Sequence, residues 1–516
     1  MGVVPPPPAA PGDARSNEEL VQAAGTGLRW IGHARIVIEI ALFASMILLA
    51  RLIPPAEFGI FAVVVIVQEL ALTMPMEGIG SALVQRRSIG REHLEGGMVL
   101  SLLVGVLLAV ATIVLAVVVV DPVFGERTAE LVMLASPWYL MGAIYAVPYA
   151  TLRRRLDFPR LSLIDLALNL VRAAAAIGLA LYGLDAEALI LGGMVGMAAA
   201  LALALAFAPP PLPRLRPQAM RDLLPYGGPA ALATVAWTGF RNGDYAIIGA
   251  KLGAAQAGLY WRGYMLSVEY PRKVGALMNQ IAFPVLARTG GADEMQALRQ
   301  RMAQLLTVVL FPLLVVLALL APVLVPWAFG PNWQGAVLPT QILALGGAVV
   351  LVTDGVGAAL MAAGRARALL GYGVAHFAVY AGIVFAVASH GLVVVAIAAS
   401  VVHTVFMVIA YQVLLRGGAT AALRLLWGDI APATVCCAAL LAAAAPAQLA
   451  LQALEAPVLV HVAGVGLAGA AAYLLALRWW FPRAAADLAA AVGRIVPSGF
   501  AAAPLRRLAG GVSRSA

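Results

Sequence analysis

The stretch LLARLIPPAEFGIF, residues 48–61, interrupts a long apolar run with an arginine, two prolines and a glutamate before Gly-Ile-Phe opens the next apolar run. A second stretch, IIGAKLGAAQAGLY (residues 247–260), repeats the arrangement: a basic residue and a leucine end one apolar run, and Gly-Leu-Tyr opens another. Proline and glycine at such positions punctuate helices. The two stretches therefore predict short turns at equivalent points of a duplicated, helical chain.

The composition indicates that the chain lies in a membrane. Of 516 residues, 62% are hydrophobic and 11% are charged, and the mean hydropathy is +0.93. Soluble domains carry about 25% charged residues. The apolar residues form long blocks without the alternation of membrane-barrel strands, and helices satisfy their own backbone hydrogen bonds in lipid. We therefore expect an all-α, multi-pass integral membrane protein.

Fourteen apolar stretches are long enough to cross a bilayer, which takes about 20 residues of helix. They cover residues 30–50, 58–84, 97–120, 129–150, 161–183, 187–208, 226–250, 256–287, 303–328, 335–362, 368–389, 392–415, 428–450 and 457–481. The second and eighth are long and contain proline, so we expect each to bend or tilt.

The connections between the spans alternate between rich and poor in basic residues. With the N-terminus inside, 25 Lys and Arg residues fall in the inside segments and three fall in the outside segments, namely Arg51, Arg127 and Lys251. Cytoplasmic loops of membrane proteins carry the excess of Lys and Arg. Both termini are therefore predicted to be cytoplasmic.

The repeated turn joins spans one and two, and again spans seven and eight. ALVQRR (82–87), which ends span two, is similar to PVLARTG (284–290), which ends span eight. An offset of six spans keeps both copies in one orientation and predicts two six-helix lobes related by an axis along the membrane normal. The predicted segments are a disordered leader (1–28), an N-lobe (29–208), a cytoplasmic linker (209–225), a C-lobe (226–415), two further spans (416–481) and a basic tail (482–516).

Cations outnumber acidic residues inside the second lobe. A charge at mid-bilayer costs on the order of 2.5–3.5 kcal/mol, so such residues usually face a partner or a water-filled cavity. A surplus of one sign is poorly explained by packing, and the planar fork of arginine suits phosphate. We interpret five cations as candidates for binding an anionic substrate in a cavity between the lobes: Arg35, Arg241, Arg262, Arg272 and Lys273.

Six further polar residues in the spans are candidates for coupling transport to an ion: Glu39, Asp244, Glu269, Asp354, His376 and His403. Several of these acids lie three or four residues from a cation and share its helix face, so an intrahelical salt bridge is the alternative role. Asp165 and Arg172 share a face in the same way. Histidine titrates near neutral pH, but a single membrane histidine more often hydrogen-bonds between helices.

The sequence contains no catalytic or cofactor-binding pattern. P-loop, HExxH, CxxC and GxSxG motifs are absent, so we expect neither an enzyme nor direct use of ATP, and no cofactor or metal. Cys436 and Cys437 are adjacent in an apolar run, which favours buried packing over a disulfide framework or a metal site. The net charge of +9 follows from the cytoplasmic segments and does not imply nucleic acid.

Four segments resemble one known family. They are RLIPPAEFGIFAVVVIVQELALTMPMEGIGSALVQRR (51–87), TLRRRLDFPRLSLIDL (151–166), NGDYAIIGAKLGAAQAGLYWRGY (242–264) and FPVLAR (283–288). They resemble the polysaccharide biosynthesis/export proteins, the Wzx-type oligosaccharide flippases of the multidrug/oligosaccharidyl-lipid/polysaccharide superfamily. The likeness covers about residues 30–420. The turn Pro-Pro-Ala-Glu-Phe-Gly departs mildly from the family's Leu-Thr-Pro-Glu-Asp-Phe-Gly.

The resemblance implies two six-helix lobes forming a V, and alternating-access, ion-coupled transfer of undecaprenyl-pyrophosphate-linked oligosaccharide for exopolysaccharide, capsule or O-antigen synthesis. It implies membrane lipids, a polymerase and export machinery as partners. Its motifs are structural turns, so no sugar-contacting residue is carried over from them. Three alternatives stay open: a multidrug/cation antiporter of the same superfamily, a non-transporting scaffold of a polysaccharide assembly complex, and a lipid II flippase.

Overall fold

The computed structural model describes residues 17–273, 275, 292–362 and 365–495, and helices dominate these ranges. The chain divides into two compact units, one ending at Asn242 and the other beginning at Gly243. The division falls inside a helix, seventeen residues beyond the linker that the sequence predicts at 209–225. The boundaries of the lobes therefore remain a prediction, and we describe each unit by itself.

The first unit is built from six long helices and most of a seventh. They are α1 (Asn17–Leu52), α2 (Pro55–Gln85), α3 (Arg91–Phe124), α4 (Glu126–Arg155), α5 (Phe158–Leu181), α6 (Ala186–Phe207) and α7 (Pro217–Leu252). α4 is the central helix and packs on α2, α3 and α6, while α1 packs on α5. In the most apolar 18-residue stretch of α4, 67% of the residues are buried within the protein. In that of α3 only 17% are buried, so most of α3 is available to contact lipid.

After the end of α7, the second unit continues with α8 (residues 254–273), which is α-helical over Ala254–Tyr264, π-helical over Met265–Glu269 and helical again over 270–273. It then contains α9 (Ala292–Phe329), a 3-10 turn (Pro331–Ala336), α10 (Val337–Ala362), α11 (Ala366–Val387), α12 (Leu392–Leu415), α13 (Ala419–Ala453), α14 (Val458–Trp480) and α15 (Pro482–Ile495). α10 contacts α8, α9 and α12, and α13 and α14 pack on α9.

Eleven helices within the described residues are long and apolar enough to cross a membrane: α2 to α6 and α9 to α14. The prediction of an all-α, multi-pass membrane protein is confirmed. The number of fourteen spans remains a prediction. The helices at the first and seventh predicted spans, α1 and α7, are not among the eleven. The predicted eighth span, 256–287, includes residues 276–287, which lie outside the described residues together with PVLARTG (284–290). The predicted leader up to residue 16 and the tail from residue 496 lie outside them as well.

Both of the repeated stretches form short connections between helices. In the first, α1 ends at Leu52 and α2 begins at Pro55, where a proline suits the first helical position because it lacks the amide hydrogen. In the second, only Gly253 separates α7 from α8, and its φ of +87° is a conformation that glycine adopts without strain. The turns that the sequence predicts are thus observed at both places.

In each unit a glycine allows two helices to approach closely. A Cβ added to Gly142 of α4 would lie 2.0 Å from the carbonyl oxygen of Ala71 in α2, and one added to Gly347 of α10 would lie 2.1 Å from that of Ser267 in α8. Small residues are the usual means of close packing between membrane helices, because lipid provides no hydrophobic driving force. The second and fourth spans of each predicted repeat meet in this way, which supports the duplication.

Candidate functional site

Arg35 and Glu39 form an ion pair on α1 in the first unit. Arg35 Nη2 lies 2.8 Å from Glu39 Oε1, and the two side chains are 51% and 27% exposed. The four-residue spacing thus places both charges on one face, as predicted. The Arg35 side chain thus stays half exposed while it is paired with Glu39.

Asp165 contacts a tyrosine of a neighbouring helix. The Tyr149 hydroxyl of α4 donates to Asp165 Oδ1 at 3.2 Å, whereas the spacing of seven residues suggests Arg172 as its partner. A second acid of this unit, Glu69 in α2, accepts a hydrogen bond from Asn242 of α7 at 2.9 Å. Both acids therefore join helices within the first unit.

Arg262 lies in an aromatic cage at the start of the second unit. It is 2% exposed, and its guanidinium carbon lies 5.5, 5.2 and 4.9 Å from the ring centroids of Trp261, Phe329 and Trp333. Cations over aromatic faces are attracted by the ring quadrupole. This position favours a packing role that joins α8 to the 3-10 turn, and it sets Arg262 apart from the other candidate cations.

Arg272 and Lys273 lie near the last described residues of α8, one turn after the π-helical segment. Arg272 Nη1 lies 3.6 Å from Glu269 Oε2 and donates to the Tyr264 hydroxyl at 3.4 Å, and its side chain is 22% exposed. Lys273 Nζ lies 4.9 Å from the centroid of the Tyr270 ring and is partly exposed. Both cations are thus held in place while part of each side chain stays accessible.

Asp244 of α7 lies at the centre of a buried group of tyrosines. It is 4% exposed. Its Oδ2 accepts from the Tyr380 hydroxyl of α11 at 2.9 Å, and its Oδ1 accepts from the Tyr245 backbone N–H at 2.9 Å. The Tyr380 hydroxyl lies 3.3 Å from the Tyr260 hydroxyl of α8. Three helices of the second unit therefore meet around this carboxylate.

The two histidines are direct neighbours. His376 Nε2 of α11 lies 3.1 Å from His403 Nδ1 of α12. The His403 ring stacks on the Tyr380 ring with centroids 5.0 Å apart, and the His376 ring stacks on Phe406 at 4.5 Å. The structure thus brings together Asp244, His376 and His403, which are three of the six ion-coupling candidates. The side chains of Arg241 and Asp354 lie outside the described residues.

A buried ion pair of the second unit was not predicted. Arg299 of α9 binds Asp429 of α13 with Nη1–Oδ2 and Nη2–Oδ1 distances of 2.5 and 3.0 Å, and the Tyr411 hydroxyl also donates to Asp429. The sequence argument placed Arg299 in a cytoplasmic connection. The partners are 130 residues apart on different helices, so no spacing rule could pair them.

The family signature of the chain is clear from comparison with known proteins. The profile of the family described as "Polysaccharide biosynthesis protein" matches residues 48–338, which is more than half of the chain. The chain belongs to this family. The match includes the candidate cations of α8 and the Asp244 carboxylate, and it confirms the resemblance found in the turn motifs.

Two relatives of this polysaccharide biosynthesis protein carry informative names. The chain is 25% identical over 360 residues to the "Lipopolysaccharide biosynthesis protein WzxC" of Escherichia coli strain K12, covering 65% of this chain and 69% of the relative. It is 24% identical over 346 residues to the "Teichuronic acid biosynthesis protein TuaB" of Bacillus subtilis strain 168, covering 65% and 71%.

The fold of this chain is similar to that of a membrane protein of known structure. The structure of "Lipid II flippase MurJ, inward closed conformation" superposes with a TM-score of 0.66 at 11% sequence identity, covering 86% of this chain and 99% of that chain. At this identity the likeness concerns the fold alone. It supports the expected arrangement of membrane helices and leaves the substrate to be argued from the residues.

Proposed function

We propose that this polysaccharide biosynthesis protein is a flippase that carries a polyprenyl-pyrophosphate-linked oligosaccharide across the bacterial inner membrane by alternating access. The observation that carries the proposal is the family match, which extends through the charged helix α8. Relatives named for lipopolysaccharide and teichuronic acid biosynthesis support a role in surface glycan synthesis. Membrane lipids, a polymerase and export machinery are the expected partners.

In this proposal Arg272 and Lys273 attract the pyrophosphate or acidic sugars of the substrate. Their side chains are adjacent, partly exposed and held by neighbouring aromatic and acidic groups. Arg35, which is half exposed in the first unit, is assigned the same role. Arg241 stays a candidate on sequence grounds. Arg262 is assigned to packing, because a ligand would have to enter its aromatic cage to reach it.

We further propose that transport is coupled to an ion held in the second unit. Asp244, His376 and His403 are the favoured coupling residues because the structure brings them together around Tyr380. Glu39 and Glu269 are paired with arginines, so their role is to hold those cations. Asp354 stays a candidate on sequence grounds.

The test is complementation of a deletion strain with the Arg272→Ala/Lys273→Ala variant at normal protein levels. A hydrogen bond to a charged group contributes about 1.5–3 kcal/mol, so losing one weakens substrate binding roughly tenfold or more. We expect polymer export to fall and polyprenyl-linked oligosaccharide to accumulate on the cytoplasmic leaflet. Lys251→Ala is the control, since it removes an exposed cation from the last turn of α7, on the predicted outside.

Four results would redirect the proposal. Unchanged export in the double variant would remove both cations from the mechanism. Changed drug sensitivity of the deletion strain, with normal export, would favour the antiporter, and a lethal deletion with loss of peptidoglycan would favour a lipid II flippase. Normal export after neutralising every intramembrane cation would favour a scaffold. The family match and the cationic α8 argue against the antiporter.

A further inference from the structure

We propose that the connection between α6 and α7, residues 209–216, lies on the membrane surface and binds anionic phospholipid headgroups. This inference concerns the lipid around the protein, and it holds whatever substrate the protein carries. It is based on two exposed leucines in a proline-rich segment, the depth at which the segment lies, and the arginines that border it.

Leu212 and Leu215 are almost uncovered by the rest of the protein. Their side chains are 77% and 74% exposed. The connection has no regular secondary structure, and four of its eight residues are prolines. Proline restricts φ and favours the polyproline II conformation, which has about three residues per turn. A spacing of three residues therefore places both leucines on the same side of the segment, where they form one small apolar surface.

The contacts of the connection place it at the edge of the membrane. It begins directly after α6, which is apolar enough to span the bilayer and ends at Phe207. At its other end, Arg216 Nε lies 2.8 Å from Glu95 Oε2 of α3, just before the predicted span that begins at residue 97. A Cβ added to Gly96 of α3 would lie 3.2 Å from the Arg216 Cβ. The two leucines therefore lie at the level where apolar spans begin and end, which is the headgroup region.

Arginines outnumber acidic residues around the connection. Residues 86–95 and 214–222 together contain six arginines and three acids. Two of the acids form ion pairs with three of the arginines: Glu95 with Arg91 and Arg216, and Asp222 with Arg86. These pairs hold the start of α7 against the ends of α2 and α3, and the surface keeps a net positive charge.

The three other arginines of these segments, Arg87, Arg214 and Arg221, are exposed. The planar fork of arginine suits phosphate oxygens, and basic clusters next to a membrane helix attract anionic lipids. Segments that lie in the interface bind through buried apolar area together with this attraction. The exposed leucines and the surplus of arginines thus match a phospholipid surface that carries negative charge.

Fluorescence of the purified full chain in lipid nanodiscs tests this contact. In a background with Cys436→Ala and Cys437→Ala, acrylodan is attached to Leu212→Cys, to Leu215→Cys or, as the control on another side of the segment, to Pro213→Cys. With phosphatidylglycerol present, the labels at 212 and 215 should emit at shorter wavelength than the label at 213. They should also be quenched by a lipid that carries a nitroxide near its headgroup, and be protected from acrylamide in the water.

Nanodiscs of phosphatidylcholine alone separate headgroup recognition from insertion of the leucines. We expect the protection from acrylamide to fall in these nanodiscs. It should also fall in Arg214→Gln/Arg221→Gln with phosphatidylglycerol present, because each arginine near an anionic surface contributes about a fivefold factor to binding. The matched control is Arg367→Gln/Arg424→Gln, which removes two exposed arginines of the second unit on the same predicted side and should leave the protection unchanged.

Two outcomes of the fluorescence experiment would overturn the inference. If the labels at 212 and 215 are as accessible to acrylamide as the label at 213, and the nitroxide lipid does not quench them, the leucines contact water or a protein partner. If protection is equal in both lipid compositions and in Arg214→Gln/Arg221→Gln, the contact does not depend on anionic headgroups.

A measurement on the unmodified chain does not depend on the folding of any variant. Trypsin cleaves after exposed arginines, and Arg214 lies in the middle of the exposed connection. Cleavage after Arg214 should be slower in nanodiscs with phosphatidylglycerol than in phosphatidylcholine alone, because the bound segment is shielded. Equal rates of cleavage would contradict the inference.

Discussion

Arg299 in α9 and Asp429 in α13 form a buried ion pair with two hydrogen bonds, which joins the first helix after the predicted repeat to α9 within the second unit. The side chains are 5% and 0% exposed, and Gln304 Nε2 adds a hydrogen bond to the Gly428 carbonyl at 2.7 Å. Apolar residues of α9, α13, α14 and α15 complete the contact. The two helices after the predicted repeat, α13 and α14, thus pack against α9.

Removing one partner of this pair is expected to destabilise the protein strongly. Arg299→Ala leaves the Asp429 carboxylate buried without its cation, which costs about 3–5 kcal/mol. We expect a large loss of thermal stability in detergent, measured by size-exclusion chromatography after heating. The double variant Arg299→Met/Asp429→Leu should recover much of the loss, because it leaves no unpaired charge.

An exposed pair at the same end of α9 provides the control for this experiment. Arg301 Nε donates to Asp487 Oδ2 of α15 at 2.7 Å, but its side chain is 68% exposed. Ion pairs in water contribute about 0–1 kcal/mol, so Arg301→Ala should change the stability little. Equal losses in Arg299→Ala and Arg301→Ala would contradict the assignment of the buried pair.

The glycine contacts predict where an added methyl group is not tolerated. Gly142→Ala and Gly347→Ala each place a Cβ about 2 Å from a carbonyl oxygen, so the helices must separate. Overpacking costs about 1–3 kcal/mol, and more where backbone must move. Gly178→Ala in α5 and Gly371→Ala in α11 meet no atom within 4 Å and should be neutral or stabilising. Thermal stability of the four variants checks this difference, and equal values would refute it.

Arg154, near the end of α4, donates hydrogen bonds to the carbonyl oxygens at the end of α2. Its Nη1 lies 3.1, 3.1 and 2.5 Å from the carbonyl oxygens of Leu83, Val84 and Arg86, and its Nη2 lies 2.9 Å from that of Arg87. The last carbonyls of a helix have no partner within the helix, so Arg154 caps α2.

Replacing the guanidinium by a single ammonium should loosen the end of α2. The single nitrogen of a lysine in Arg154→Lys cannot contact all four carbonyl oxygens that the two guanidinium nitrogens of Arg154 contact. A polar group left without a partner costs about 1–3 kcal/mol. We expect faster tryptic cleavage after Arg86 and Arg87, with Arg155→Lys as control because Arg155 is exposed. Identical digestion of the two variants would show that the cap is dispensable.

The contrast between these features shows what the sequence could predict. Apolar blocks and the alternation of basic residues are local signals, and they identify the helical membrane fold and turns such as Gly253. The Arg35–Glu39 pair follows from a spacing of four. Arg299–Asp429, Tyr149–Asp165 and Asp244–Tyr380 join helices far apart in sequence, and their partners depend on how the helices pack. An apolar run predicts that a tyrosine lies in a membrane-spanning helix, but it does not show which carboxylate its hydroxyl contacts.

The charge alternation makes a prediction about orientation that single cysteines can test. Cys436 and Cys437 are buried, and replacing both by alanine should preserve the fold. In that background, Tyr182→Cys lies directly after α5, on the predicted outside, where the native side chain is 88% exposed. A membrane-impermeant maleimide should therefore label it in intact spheroplasts. Arg155→Cys lies in a predicted inside connection and should be labelled only after the membrane is opened. The opposite pattern would place both termini outside and overturn the positive-inside assignment. It would also reverse the side at which Arg154 caps α2, and with it the side from which the proposed substrate first meets the protein.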